Sequence, residues 1–157
     1  SRMIKVSASE MGTGSSRDPD DQSKHLTSLI AKKAYDKSSL DPKDISLAEV
    51  HDASAIAEIM QTENLGFCKF GEGGYFAEKG NTKIGGKIPV NTSGGLESKG
   101  HPIGATGLGQ IYELVLQLRG EAGKRQIENP RFGIAENGGG TIGVEEATAC
   151  ITILEKI

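Results

Sequence analysis

Gly100-His101-Pro102-Ile103-Gly104-Ala105-Thr106-Gly107-Leu108-Gly109-Gln110-Ile111-Tyr112-Glu113-Leu114-Val115-Leu116 places a histidine in a glycine-rich approach to a long apolar helix. Leu108, Ile111, Tyr112, Val115 and Leu116 recur at helical spacing and predict one apolar stripe. Pro102 falls where a first-turn proline is tolerated, because the N–H it lacks would be unpaired there anyway. His101 then stands at the positive end of the helix dipole, which disfavours imidazolium and favours a neutral ring able to accept a proton. The flanking glycines let a ligand or a second backbone come close. A bare Gly-His-Pro reads equally well as a helix start with an incidental surface histidine. The stretch from Gly104 to Gly109 imitates a dinucleotide fingerprint, but it lies inside the helix and no strand precedes it, so that reading is rejected.

Outward from this helix, the chain alternates strands and helices. Residues 3–7 alternate apolar and polar side chains as a short strand, and residues 12–22 hold Gly, Ser, Asp and Pro as a surface loop. Leu26, Leu29, Ile30 and Ala34 mark a helix over residues 24–38, which Leu40-Asp41-Pro42 prevents from continuing. A strand over residues 45–50 runs into His51-Asp52, and Ile56, Ile59 and Met60 carry a helix over residues 55–61. Residues 67–100 read as one long loop, a length that points to function, with a short strand at 87–90. Strands at 131–135 and 147–154 close the chain. The nearly continuous apolar run Ala149-Cys150-Ile151-Thr152-Ile153-Leu154 predicts a central strand covered on both faces. Five strands interleaved with helices predict an α/β layered domain; the last two strands have no helix between them, so the sheet is mixed.

The totals narrow the function classes. The chain's 157 residues suffice for one core, built from Ile, Leu, Val and Ala because aromatics are 4% and Trp is absent. A net charge of −3 without a basic cluster argues against nucleic acid as a partner. Cys68 and Cys150 stand far apart in unrelated contexts, so neither a zinc pair nor a disulfide framework is expected, and no metal site is. No apolar run is long enough to span a membrane, and residues 1–9 lack a signal-peptide shape, which makes a cytoplasmic protein the expectation.

Two further features follow strand ends, where α/β folds place ligands. One is His51-Asp52, which taken alone is more often a structural residue pair. The other is Glu136-Asn137-Gly138-Gly139-Gly140, whose glycines either turn amides toward a bound oxygen or simply make a tight turn. With His101, these features share one possible sheet edge, which is the pattern of an active site.

Residues 100–107 resemble the GHPxGATG motif of thiolases. Gly71-Glu72-Gly73-Gly74, Gly85-Gly86, Pro89-Val90-Asn91, Ser93-Gly94-Gly95, the Leu40-Asp41-Pro42-Lys43-Asp44-Ile45 turn and Glu49-Val50-His51-Asp52 are similar to the sterol-carrier-protein-type branch, in the right order along essentially the whole chain. The resemblance implies half of a thiolase fold, which is built from two βαβαβαββ halves. Residues 1–157 match the second, C-terminal half; the first, which carries the acyl-accepting cysteine, is absent from them.

By that resemblance, His101 activates the missing cysteine as general base, and His51, in place of the asparagine of the NEAF motif, helps form an oxyanion hole. Asn91, Ser93 and Gly94 are expected near the pantetheine arm of coenzyme A, with Asn137 and Gly138 at the thioester. Two departures stand out. The family's CxG cysteine is replaced by Glu136-Asn137-Gly138, and the branch's HDCF cysteine by His51-Asp52-Ala53-Ser54. Glu136 is the titratable candidate for the vacant acid/base duty. The implied activity is acyl-CoA C-acyl transfer, either cleavage of a 3-oxoacyl-CoA or condensation of two acyl-CoA units, with coenzyme A thioesters as substrates and no covalent cofactor. The isolated chain is expected to be inactive. The implied partners are its own N-terminal half, further copies of itself, and a small zinc-ribbon/OB-fold protein. The alternative is a non-catalytic acyl-CoA- or lipid-binding homologue, or a subunit of a thiolase complex.

Overall fold

A computed structural model of the chain describes residues 2–157. Its strands are β1 (Ile4–Thr13), β2 (Leu47–Glu49), β3 (Phe132–Gly139) and β4 (Thr148–Lys156). They form one four-stranded sheet in the order β1-β4-β3-β2. β4 runs antiparallel to both its neighbours, and β2 runs parallel to β3, so the sheet is mixed. The helices are α1 (Leu26–Ser38), α2 (Ala55–Asn64), α3 (Gly73–Glu78), α4 (Gly95–Lys99) and α5 (Thr106–Arg119).

Two apolar layers cover the sheet. On one face Ile30, Ala31 and Ala34 of α1 pack against Ala48, Ile134, Ala149, Ile151 and Ile153. On the other, Leu114 and Leu118 of α5 pack against Leu47, Ala135 and Leu154. Each of the fully buried Leu and Ile side chains contributes roughly 1.5–3 kcal/mol of transfer free energy. A bulge between Val6 and Ala8 moves β1 from one layer to the other: Ile4 packs in the α5 layer, whereas Ala8 is buried in the α1 layer.

The sheet has four strands rather than five. Residues 87–90 make only an isolated bridge, Val90 to Ala48, because Pro89 has no N–H and the Ile88 and Val90 amides donate to Asn81 and Thr82 instead. β1 runs well past residue 7, into the segment read as loop. Gly12 permits this: a Cβ there would lie 2.4 Å from Ile30 Cδ1. The long loop contains α3 and α4, two short glycine-started helices with no periodic signature.

The apolar stripe of α5 is also displaced. Leu108 and Tyr112 are 73% and 65% exposed, while Gln110, Leu114, Gln117 and Leu118 face inward. The buried glutamines are tolerated because they are bonded: Gln110 Nε2 donates to the Glu136 carbonyl at 2.8 Å and Gln117 Nε2 to that of Arg125 at 2.8 Å. In β4, the face with Ala149, Ile151 and Ile153 is buried, whereas Cys150 and Thr152 are only half covered, along a groove with Ile103 and Leu108. No helix among the described residues is long and apolar enough to cross a membrane.

Candidate active site

Because β2 and β3 run parallel, their C-terminal ends lie at one edge of the sheet. His51 follows the first, and Glu136 to Gly139 ends the second. The His101 segment is brought to the same edge by a buried carboxylate. Asp52 Oδ1 accepts the Leu96 amide at 2.7 Å, which fastens the start of α4, and with it the 100–105 approach to α5, to the residue after His51.

The result is a cleft of about 460 Å³ lined by His51, His101, Ile103, residues 137–141, Glu146 and two alanines. The His51 and His101 rings meet edge-on, with centroids 4.9 Å apart. α5 begins at Thr106, not at Pro102; the Pro102 carbonyl accepts the Ala105 and Thr106 amides in a preceding turn. His101 is therefore tied to the helix start through a side chain, its Nδ1 lying 2.7 Å from Thr106 Oγ1. Thr106 Oγ1 donates to the Pro102 carbonyl at 3.2 Å. With that hydroxyl proton engaged, Thr106 Oγ1 can accept from Nδ1–H, the tautomer that leaves on Nε2 the lone pair a general base needs.

His51 is held neutral. Burial lowers its pKa, the neighbouring His101 lowers it further, and the Gly138 backbone works in the opposite direction. Its backbone N–H donates to Glu136 Oε2 at 2.9 Å, while ring Nδ1 is buried without a hydrogen-bond partner. Glu136 itself is 0% exposed and lies behind the cleft wall. Burial pushes its pKa up to about 8, against the His51 amide bond, which lowers it. Glu136 is thus a carboxylic acid at neutral pH.

A pH dependence of stability follows from that burial. The folded chain holds the Glu136 proton up to about 8, whereas the unfolded chain releases it near the ordinary value of 4.5. The folded state binds more protons across this window, so stability from this group is full below the window and is lost as pH rises through its upper end. Relative to Glu136→Gln, the wild-type chain is expected to lose roughly 1 kcal/mol per pH unit there. Urea unfolding across the window measures it; equal slopes in the two proteins would refute the assignment.

The substrate residues read from the sequence separate into groups. Asn137 and Gly138 line the histidine cleft. Ser93 lines a second cleft of about 410 Å³ on the other side of the His101 segment, with Lys99, Pro102, Tyr112 and Arg125. There Ser93 Oγ donates to Glu49 and accepts from Lys99 Nζ at 2.7 Å. Asn91 lies inside the fold: Oδ1 accepts the Val50 amide at 2.8 Å and Nδ2 donates to Glu58 at 2.7 Å, joining the end of β2 to α2. Gly94 opens α4 with φ 97° and lines neither cleft. Neither Cys68 nor Cys150 lines the histidine cleft.

Glu146 is the residue that motif reading passed over. It lies in the link between β3 and β4 and reaches the cleft wall only through the fold. Its one sequence signal is a pair of glutamates interrupting an otherwise apolar and glycine-rich segment.

Residues 11–156 match the family described as Thiolase C-terminal domain-like. An acetyl-CoA acetyltransferase from Methanothermobacter thermautotrophicus is 47% identical over 154 residues, covering 98% of this chain and 39% of the relative. Sterol carrier protein 2 from Rattus norvegicus is 46% identical over 112 residues, covering 71% of this chain and 20% of the relative. Among solved structures, an Ltp2-ChsH2(DUF35) aldolase superposes with TM-score 0.78 at 25% identity, covering 95% of this chain and 39% of that one. The chain thus spans about two fifths or less of the length of these proteins.

Proposed function

Because this chain belongs to the family of thiolase C-terminal domains, we propose that it supplies the histidine-bearing half of an acyl-CoA C-acyltransferase site. The observation that carries the reading is the pair of rings, His51 and His101, 4.9 Å apart on one cleft at the ends of parallel strands. His101 Nε2 takes the proton of a cysteine thiol belonging to an N-terminal half, and the thiolate attacks the carbonyl of a coenzyme A thioester or of its 3-oxo group. His51 donates to the thioester oxygen as negative charge gathers there, its neutral ring being suited to that role. Asn137 and Gly138 border the same oxygen. Glu136, in the place of the family's second cysteine, holds a proton for the site. Ser93, Gly94 and Asn91 shape the approach of the pantetheine arm, Asn91 through the backbone it fastens.

The N-terminal half and further copies of the protein are the expected partners. The apolar side chains of Ile103, Leu108 and Tyr112, exposed at the mouth of the site and along α5, support a covering surface on this side. A cytoplasmic location accords with coenzyme A thioesters as substrates. The test compares the complete protein that carries this chain with the isolated chain, using acetoacetyl-CoA and coenzyme A. Cleavage by the complete protein and none by the isolated chain is expected; turnover by the isolated chain would refute the need for an outside cysteine.

A second reading is favoured by the acid/base positions, Ala53 and Glu136, where the family carries cysteine. On that reading the chain belongs to a complex that binds acyl-CoA or cleaves a different carbon–carbon bond, beside a zinc-ribbon/OB-fold partner. The aldolase that superposes on it names a DUF35 component. Co-purification of such a partner with the complete protein, without acetoacetyl-CoA cleavage, would favour it.

A further inference from the structure

The wall of the histidine cleft carries a carboxylate that the motifs quoted above do not include. Glu146 lines the cleft together with His51 and His101. Gln61 Nε2, from α2, donates to its Oε1 at 2.8 Å, and Oε2 is buried with no hydrogen-bond partner. The backbone that presents it is fixed from the neighbouring residue. Glu145 accepts Arg17 Nε at 2.7 Å and the amides of Leu26 and Ser15, so the link between β3 and β4 is tied to the start of α1.

Gly138 makes the room. A Cβ there would lie 2.7 Å from Glu146 Cγ and 3.3 Å from its Cδ and Oε1, so the glutamate lies directly over this glycine. Glu136 and Gly138 are two apart on β3 and share one face of the sheet. Besides burial, the Glu146 charge therefore acts on Glu136 and helps to raise its pKa, and Glu136 Oε1 is likewise buried without a partner. Glu136 is fully buried and does not line the cleft; Glu146 does.

We infer that Glu146 is the acid/base residue of this site, exchanging a proton with the carbon next to a thioester carbonyl. The inference rests on the acyltransferase reading above. In the condensing direction, the Glu146 carboxylate takes a proton from the carbon adjacent to the carbonyl of an acyl-CoA. The C–H electron pair moves into the carbonyl to give an enolate, whose oxygen faces His51. In the cleaving direction the C–C bond breaks toward the same enolate, and protonated Glu146 returns the proton to that carbon. No oxidant, reductant or further reactant is consumed. In cleavage Glu146 is reprotonated by way of His101, which gives up the proton it took from the cysteine and then takes that of the incoming coenzyme A thiol, and the cysteine leaves the acyl group as a thiolate.

Two readouts on the complete protein separate this assignment from its premise. One is exchange of the methyl protons of acetyl-CoA with D₂O, followed by NMR, which needs only carbon acid/base chemistry. The other is transfer of the acetyl group between acetyl-CoA and labelled coenzyme A, which needs the cysteine and His101 but breaks no C–H bond. Glu146→Gln keeps the shape of the side chain and is expected to lower proton exchange about 100-fold or more while changing acetyl transfer less than about threefold. Undiminished proton exchange in the variant would overturn the assignment. Equal loss of both readouts would also overturn it, by showing a structural role. Absence of both in the wild-type protein would overturn the acyltransferase reading itself, and the role of Glu146 with it.

Discussion

Replacing His101 by alanine is expected to lower acetoacetyl-CoA cleavage by the complete protein about 10²–10⁴-fold while leaving its unfolding transition nearly in place. The two halves of that expectation come from the same geometry. His101 is exposed, and its ring makes a single side-chain hydrogen bond, to Thr106 Oγ1. Thr106 is buried and keeps a second partner in the Pro102 carbonyl, so losing the imidazole leaves no buried group unpaired. The stability cost is therefore on the order of 1 kcal/mol or less. The catalytic loss is larger, about 3–5 kcal/mol of transition-state free energy, because a cysteine thiol at neutral pH is mostly protonated without a base beside it. Steady-state kcat/KM with thermal unfolding of the same samples checks both halves. Turnover close to wild type would remove His101 from the mechanism, and a collapsed melting transition would make it a structural residue.

The histidines were legible in the sequence because each borders a feature with its own signature. His51 ends an apolar strand, His101 sits between glycine and proline before a helix, and Asn137 and Gly138 follow the apolar start of β3. That these meet depends on β2 and β3 running parallel, which alternating strands and helices imply. Other elements were hidden for identifiable reasons. The stripe of α5 was misplaced because apolar periodicity does not distinguish a core face from a face left for another surface. Leu108 and Tyr112 are apolar and outward, while Gln110, Glu113 and Gln117 are polar, buried and hydrogen-bonded. The 87–90 segment looks like a strand side chain by side chain, yet its proline and its bonds to Asn81 and Thr82 keep it out of the sheet ladder. Glu146 could not have been found locally. Its partner Gln61 is 85 residues away, and the glycine that admits it, Gly138, has the opposite sequence signal, that of a turn.

Alanine at Gly95 is expected to be strongly damaging. Gly95 has φ 63°, in the left-handed region, and the added Cβ would stand 2.0 Å from Asp52 Oδ2, 2.6 Å from Cγ and 2.8 Å from Oδ1. The atoms it meets are not the end of a flexible surface side chain. Asp52 is 3% exposed, and its Oδ1 accepts the buried amide of Leu96. To admit the methyl, the carboxylate must withdraw, which leaves a buried charge and a buried N–H without each other. Together with the backbone strain, the cost is roughly 4 kcal/mol or more, which for a chain of this length lowers the melting temperature by roughly 8–16 °C. Gly94→Ala supplies the comparison. Its φ of 97° is also unfavourable to a side chain, but its Cβ meets only Ser98, with Cβ at 3.1 Å and Oγ at 3.7 Å. Thermal unfolding of the two variants side by side therefore separates backbone strain from the carboxylate clash, and similar losses in both would refute the clash. The residual activity carries further information. Asp52 adjoins His51, and Leu96 begins the helix that leads to His101, so the same methyl loosens the tie that brings the two rings together. Any Gly95→Ala protein that remains folded at low temperature is expected to lose turnover out of proportion to its folded fraction.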